Sequence, residues 1–135
     1  MTASDNVVAR FDQLLKHLQI DVIEASQSGA LVRMPLTEHH LNGWGAAHGG
    51  VICSLADAAF GAAANSHRDT AVVTLSTTLN FLRPGLKGPL TAESQAVHIG
   101  KNVVNYNIRV LDADGELIAN GMISGYVTPK PMPKL

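Results

Sequence analysis

A chain of 135 residues with 46% hydrophobic and 16% charged side chains suits one soluble globular domain and is short for two. Ten Lys and Arg against eleven Asp and Glu leave a net charge of −1, so no overall basic field steers nucleic acid or an acidic membrane. The one cysteine, Cys53, excludes an internal disulfide and a cysteine-based zinc site and fits a reducing cytoplasm. The first eighteen residues are amphipathic and mixed in charge, without the basic start and apolar core of a signal peptide.

Taken in chain order, Val8, Phe11, Leu14, Leu15 and Leu18 predict one helix over about 5–18, with Ser4 or Asp5 as its N-cap. Residues 20–25 and 30–36 read as two strands of a hairpin around Ser26-Gln27-Ser28-Gly29. The adjacent His39 and His40 do not share a face and have no ligand partner at metal spacing, which predicts an exposed loop pair. After a glycine-rich loop, residues 49–66 form a long apolar run in which Asp57 is the only charged side chain. Apolar on all sides, with Asp57 and Asn65 inside it, the run predicts a buried central helix rather than a membrane span.

A β-branched stretch over 70–82 is expected as a long strand, ended by Arg83-Pro84-Gly85. Residues 90–99, 103–111 and 117–127 supply three more, the last pair joined by Asp112-Ala113-Asp114-Gly115 with Asp-Gly as its turn signal. The proline-rich tail, about 128–135, reads as a frayed end. The order of elements predicts a single α+β domain, 1–135, whose curved antiparallel sheet wraps one apolar helix.

The start of that helix offers chemistry. Unpaired N–H groups and a partial positive charge stand there, and Gly49 and Gly50 have no side chain to block a ligand. A carbonyl oxygen seated on those groups would be stabilised as it becomes an oxyanion; alternatively, the glycines only let the helix start pack closely. Asp57 follows eight residues later among Ala56, Ala58 and Ala59. Buried and ionised it is costly, which marks it as a working group or as a core carboxylate satisfied by a hydroxyl or a neighbouring subunit. Cys53 reads as a small buried thiol, and His48 as a base or as a brace for the helix start. Ser54 lacks the setting of a nucleophile elbow, and no glycine-rich nucleotide loop is present.

Asn42-Gly43, His48-Gly49-Gly50, Leu55-Ala56-Asp57-Ala58-Ala59-Phe60, Asn65-Ser66 and Phe81-Leu82-Arg83-Pro84-Gly85 together resemble the hotdog-fold acyl-CoA thioesterases, nearest to the phenylacetate-degradation (PaaI-type) branch. The spacing is specific: from Asn42 it is six residues to His48 and fifteen to Asp57. The resemblance covers about 20–126. It implies a hotdog fold and a homodimer joined sheet edge to sheet edge, commonly doubled into a homotetramer, with active sites at the dimer interface. It also implies catalytic roles for Asn42 and Gly49 of one subunit at the thioester carbonyl and for Asp57 of the other. Thr74 matches the hydroxyl that places the attacking water, with Thr77 or Thr78 as alternatives. His48 and Gly50 complete the binding turn, and Arg83, Lys87 or Lys101 would meet the CoA phosphates. Asp57 acts as general base on water or as nucleophile. No metal or cofactor beyond the CoA of the substrate is expected, and the location expected is cytoplasmic. A hotdog dehydratase or hydratase and a non-catalytic acyl-CoA-binding protein are the competing readings. Trp44, beside Asn42, would either cap the pocket or fill the dimer interface.

Overall fold

A computed structural model describes residues 5–135. Six antiparallel strands form one sheet in the order β1-β2-β4-β5-β6-β3: β1 Asp21–Ser26, β2 Gly29–Met34, β3 Thr70–Phe81, β4 Leu90–Ile99, β5 Val103–Leu111 and β6 Leu117–Pro131. The sheet wraps a single long helix, the arrangement expected of a hotdog domain. β1 and β2 form the expected hairpin, with Ser26 opposite Gly29. At the β5–β6 turn Gly115 takes φ +81, and the Asp112 side chain accepts the Asp114 and Glu116 amides. That left-handed glycine is the reason Asp-Gly closes the hairpin.

The long helix, Gly49–Ala64, is the third in the chain. Its alanines at 56, 58, 59 and 62–64 are buried, and their small side chains let the sheet approach closely. Phe60 and Tyr106 anchor the core edge to face, with ring centroids 5.6 Å apart. Gly125 lies directly under the Phe60 ring, where a Cβ would collide with it. The helix is not buried on all sides, however. Gly50 and Asp57 are exposed, and Cys53 and Ser54 half-buried, so one stripe stays open from Gly50 to Asp57.

Two expectations at the chain ends need correction. The segment 5–18 is not one helix but two, α1 Val7–Phe11 and α2 Gln13–Leu18. Asp12, in extended conformation at ψ 110, ends the first and caps the second by accepting the Leu15 amide. A helix-capping carboxylate needs non-helical backbone, so an aspartate at this point splits the apolar pattern; Leu15 and Leu18 are buried, whereas Phe11 and Leu14 are exposed. Asn6, rather than Ser4 or Asp5, is the cap of α1, and its Nδ2 also donates to Ala62 O of α3 (Gly49–Ala64); Ser4 lies outside the described residues.

The tail over 128–135 is not wholly frayed. β6 continues to Pro131, which pairs with Thr70, and Met132 N donates to Asp69 O. Since β5 starts opposite Tyr126, this end of β6 has a neighbour on one side only, and prolines are tolerated on such an edge.

β3 is itself the sheet edge, and only Val72 in it is buried. Its pairing with β6 shifts register between Thr74 and Ser76, which leaves Leu75 as a bulged residue. Thr74 pairs with Gly125, Thr77 with Ile123 and Phe81 with Ala119, partners that share the inner face of β6 with buried Ala119 and Ile123. In a regular strand Thr74 and Phe81, seven apart, would point to opposite faces; the bulge turns both toward the helix.

Candidate active site

The loop before α3 is built around the Asn42 side chain. Its Oδ1 accepts the amides of Trp44 and Ala46 at 2.9 and 3.1 Å. Asn42 N donates to Ala46 O, and Gly45 turns the chain at φ +79. With the oxygen engaged inward, the Nδ2 donor is the end of the amide left for a ligand. Trp44 is 91% exposed on this loop and does not line the cleft beside it.

His48 caps the helix. Its Nδ1 accepts the Gly50 amide at 2.9 Å, and its backbone carbonyl accepts Val51 and Ile52. Gly50 is therefore no open donor, which corrects the expectation that both glycine amides face a ligand. Among the described residues the Gly49 amide has no protein acceptor. Asn42, Gly49 and Arg83 line one cleft of about 440 Å³, together with Ala46, Ala47, Ile52 and Phe81.

His40 braces this region from behind. The expected exposed histidine is 2% exposed. Its Nδ1 accepts the Thr37 amide at 3.0 Å, its Nε2 meets Leu18 O at 2.8 Å, and its carbonyl accepts His48 N at 2.8 Å. Nδ1 being an acceptor requires the proton on Nε2, which then donates to Leu18 O. The ring thus ties the end of α2 to the helix-start loop. Thr37 followed three residues later by a side chain that bonds back to it forms a capping box. His39, by contrast, is exposed as expected.

The second group lies further along α3. Thr74 Oγ1 donates to Asp57 Oδ1 at 2.7 Å, a hydrogen bond to a charged acceptor across the helix–sheet gap. Thr77 shares the inner face of β3 but Thr78 does not, since Thr78 pairs with Met122 on the outer face. Cys53, one turn before Asp57, has its thiol pushed up by partial burial and, secondarily, by the Asp57 charge. Eight residues of helix correspond to about 12 Å of rise, so the Asp57–Thr74 pair stands well away from Gly49 of the same chain.

The basic candidates separate. Arg83 lines the cleft and pairs with Glu116 at 3.0 Å, both about half exposed. Lys87 is committed to Asp114 at 2.7 Å, and that hydrogen bond raises its pKa. Lys101 lies in the β4–β5 turn, whose Asn102 O accepts Val127 N opposite Val72, at the Thr74 end of β3. A hollow of about 420 Å³ on the outer face, lined by Glu93 and Arg109 among others, contains none of these residues. Among the described residues no three His, Cys, Asp or Glu side chains stand together as a metal site, and no helix is long and apolar enough to cross a membrane.

Comparison with known proteins follows the same lines. Residues 45–119, more than half of the chain, match the family model described as Thioesterase superfamily. The acyl-coenzyme A thioesterase PaaI of Escherichia coli is 40% identical over 109 residues, 80% of this chain and 77% of that protein. The 1,4-dihydroxy-2-naphthoyl-CoA hydrolase of Listeria monocytogenes is 31% identical over 107 residues, 78% of this chain and 87% of that one. The solved structure of the Escherichia coli PaaI protein matches with a TM-score of 0.86 at 34% identity, covering 98% of this chain and 97% of that one. By this family match, by these relatives and by its sheet-wrapped helix, the chain belongs to the thioesterase superfamily and has the hotdog fold.

Proposed function

We propose that the protein is an acyl-CoA thioesterase that hydrolyses an aryl-acetyl, phenylacetyl-type thioester to the free acid and CoA, and that its active site is shared between two subunits. The observation that carries this reading is the division of the site. Open N–H donors, from Asn42 Nδ2 and Gly49, stand at one end of α3, and a hydroxyl-bonded carboxylate stands about 12 Å further along it. A carbonyl held at the donors is out of reach of Asp57 in the same chain. In a homodimer formed along the exposed β3 edge, where Val73 and Leu75 are open to solvent, Asp57 of the partner subunit completes the site.

In that arrangement the thioester oxygen accepts from Gly49 N and Asn42 Nδ2, and negative charge developing on it is stabilised in place. Asp57 takes the proton of a water positioned by Thr74, the water attacks the carbonyl carbon, and the thiolate of CoA departs. Direct attack by the carboxylate is the second route; incorporation of labelled oxygen from water into the protein in a single turnover distinguishes it. His48 supports the donors by fixing the helix start. Arg83 beside the cleft, with Lys101 at the opposite end of β3, flanks the path of the CoA phosphates once two chains are paired. The reaction so written needs only groups of the chain and of the substrate, with no cofactor. Doubling to a tetramer and a cytoplasmic location, for which the free Cys53 thiol suits a reducing compartment, belong to the same reading.

The relatives named for phenylacetic acid degradation and for an aromatic acyl-CoA support the aryl choice. The deciding experiment is a thiol-release assay over aryl-acetyl, short-chain and long-chain acyl-CoAs. Fastest release from phenylacetyl-CoA is expected; no release from any of them would favour a non-catalytic binding protein.

A further inference from the structure

Phe60 and Tyr106 are consumed by the core. Phe11 lies on α1 under the Arg10 guanidinium. Trp44 is exposed and does not line the cleft, and Tyr126 pairs with Val73 on the outer side of the sheet. Of the six aromatic residues, only Phe81 lines the cleft that holds Asn42 and Gly49. The bulge at Leu75 brings its ring to the helix side. Ring atoms Cζ and Cε1 lie 3.7 and 3.8 Å from the point where a Cβ on Gly49 would stand, so the ring sits beside the open amide. It is also 53% exposed, a large apolar surface without cover in the protomer.

We infer that Phe81 is a specificity-determining residue, its ring forming the wall of the acyl subsite against which the aryl ring of an aryl-acetyl thioester packs. This rests on the function proposed above. A carbonyl seated on the Gly49 amide starts its acyl group beside Phe81. In an aryl-acetyl group the ring follows after a single methylene and meets that wall while still anchored. Two rings in offset or edge-to-face contact gain attraction beyond the area they bury. A linear acyl chain crosses the same wall without a second ring, and Ile52, Leu82 and Pro84 serve it equally well.

The test compares kcat/KM for phenylacetyl-CoA and hexanoyl-CoA in the wild type, Phe81→Leu and Phe81→Tyr. Phe81→Leu is expected to lower the phenylacetyl-to-hexanoyl ratio by about 2–10-fold, the worth of one aromatic pair, while Phe81→Tyr retains it. Phe81→Met provides the same comparison should the leucine variant fail to fold. A ratio unchanged by Leu or Met, or an equal fall for both thioesters, overturns the role of Phe81 and leaves the proposed function standing. Absence of thiol release from either substrate by the wild type overturns both.

Discussion

The two ends of the open stripe on α3 are built differently. At the start, the donors are held by bonds internal to the chain: Asn42 Oδ1 by two loop amides, Gly50 by His48, and His48 by the buried His40. At the other end, Asp57 is exposed and accepts a hydrogen bond from Thr74 on an edge strand. Donors that stabilise a developing charge act best when already in place. A base acts best when removed from bulk water, and in the proposed dimer the partner subunit would provide that cover. In the proposed dimer, the chain finishes one half of its chemistry by folding and leaves the other to association.

Three changes bear on this contrast, in decreasing order of effect. Asp57→Asn is expected to lower kcat by about 10²–10⁴-fold, the worth of a general base, with an unchanged melting curve because asparagine is nearly isosteric and keeps an oxygen to accept from Thr74; substantial residual hydrolysis would remove Asp57 from the mechanism. Gly49→Pro deletes the open N–H and is expected to cost about 10²–10³-fold in kcat. Proline is favoured at the first helical position, and His48 at ψ 136 already has the backbone a following proline demands, so circular dichroism should show the helix intact. Refolding these two inactive variants together should restore about a quarter of wild-type activity, because half of the dimers then carry one complete site. No recovery would place both halves in one chain.

The third change is subtler. Thr74→Val removes a hydrogen bond to a charged group and is expected to cost about 10-fold in kcat, with Thr74→Ser retaining most of it; loss in both variants alike would mean packing rather than the hydroxyl matters. The smallest effect is on Cys53. A thiol pushed up in pKa holds less thiolate at a given pH, so alkylation of the native protein at pH 8 should lag behind that of a free thiol. In Asp57→Asn it should speed up, since one of the two causes is gone. Equal rates in wild type and variant would show that burial alone governs the thiol.

Much of this was legible from the residues. Period-two and turn signals place β4 and β5 at 90–99 and 103–111, and the apolar run places α3, because those patterns depend on local chemistry alone. The break at Asp12 was not, since capping competes with an unbroken apolar stripe and the stripe is the louder signal. Nor could Thr74 be told from Thr77 and Thr78, because a bulge leaves no mark in composition, and one extra residue reverses which face each side chain takes. His40 was misread for a related reason. Polar residues in a loop are usually solvated, and only its long-range bond to Leu18 O, 22 residues back, shows that this one is a strut.

The Asn42 amide carries a consequence of its own. A primary amide has two nearly isosteric ends, and rotating it by half a turn would present oxygen, an electrostatic liability, to a substrate carbonyl. Here that rotation would surrender two hydrogen bonds and set Nδ2 against two N–H donors, at a cost of about 1 kcal/mol or more for each bond. The loop therefore selects the donor's orientation before any ligand arrives, and binding spends none of its free energy on sorting one end of the amide from the other.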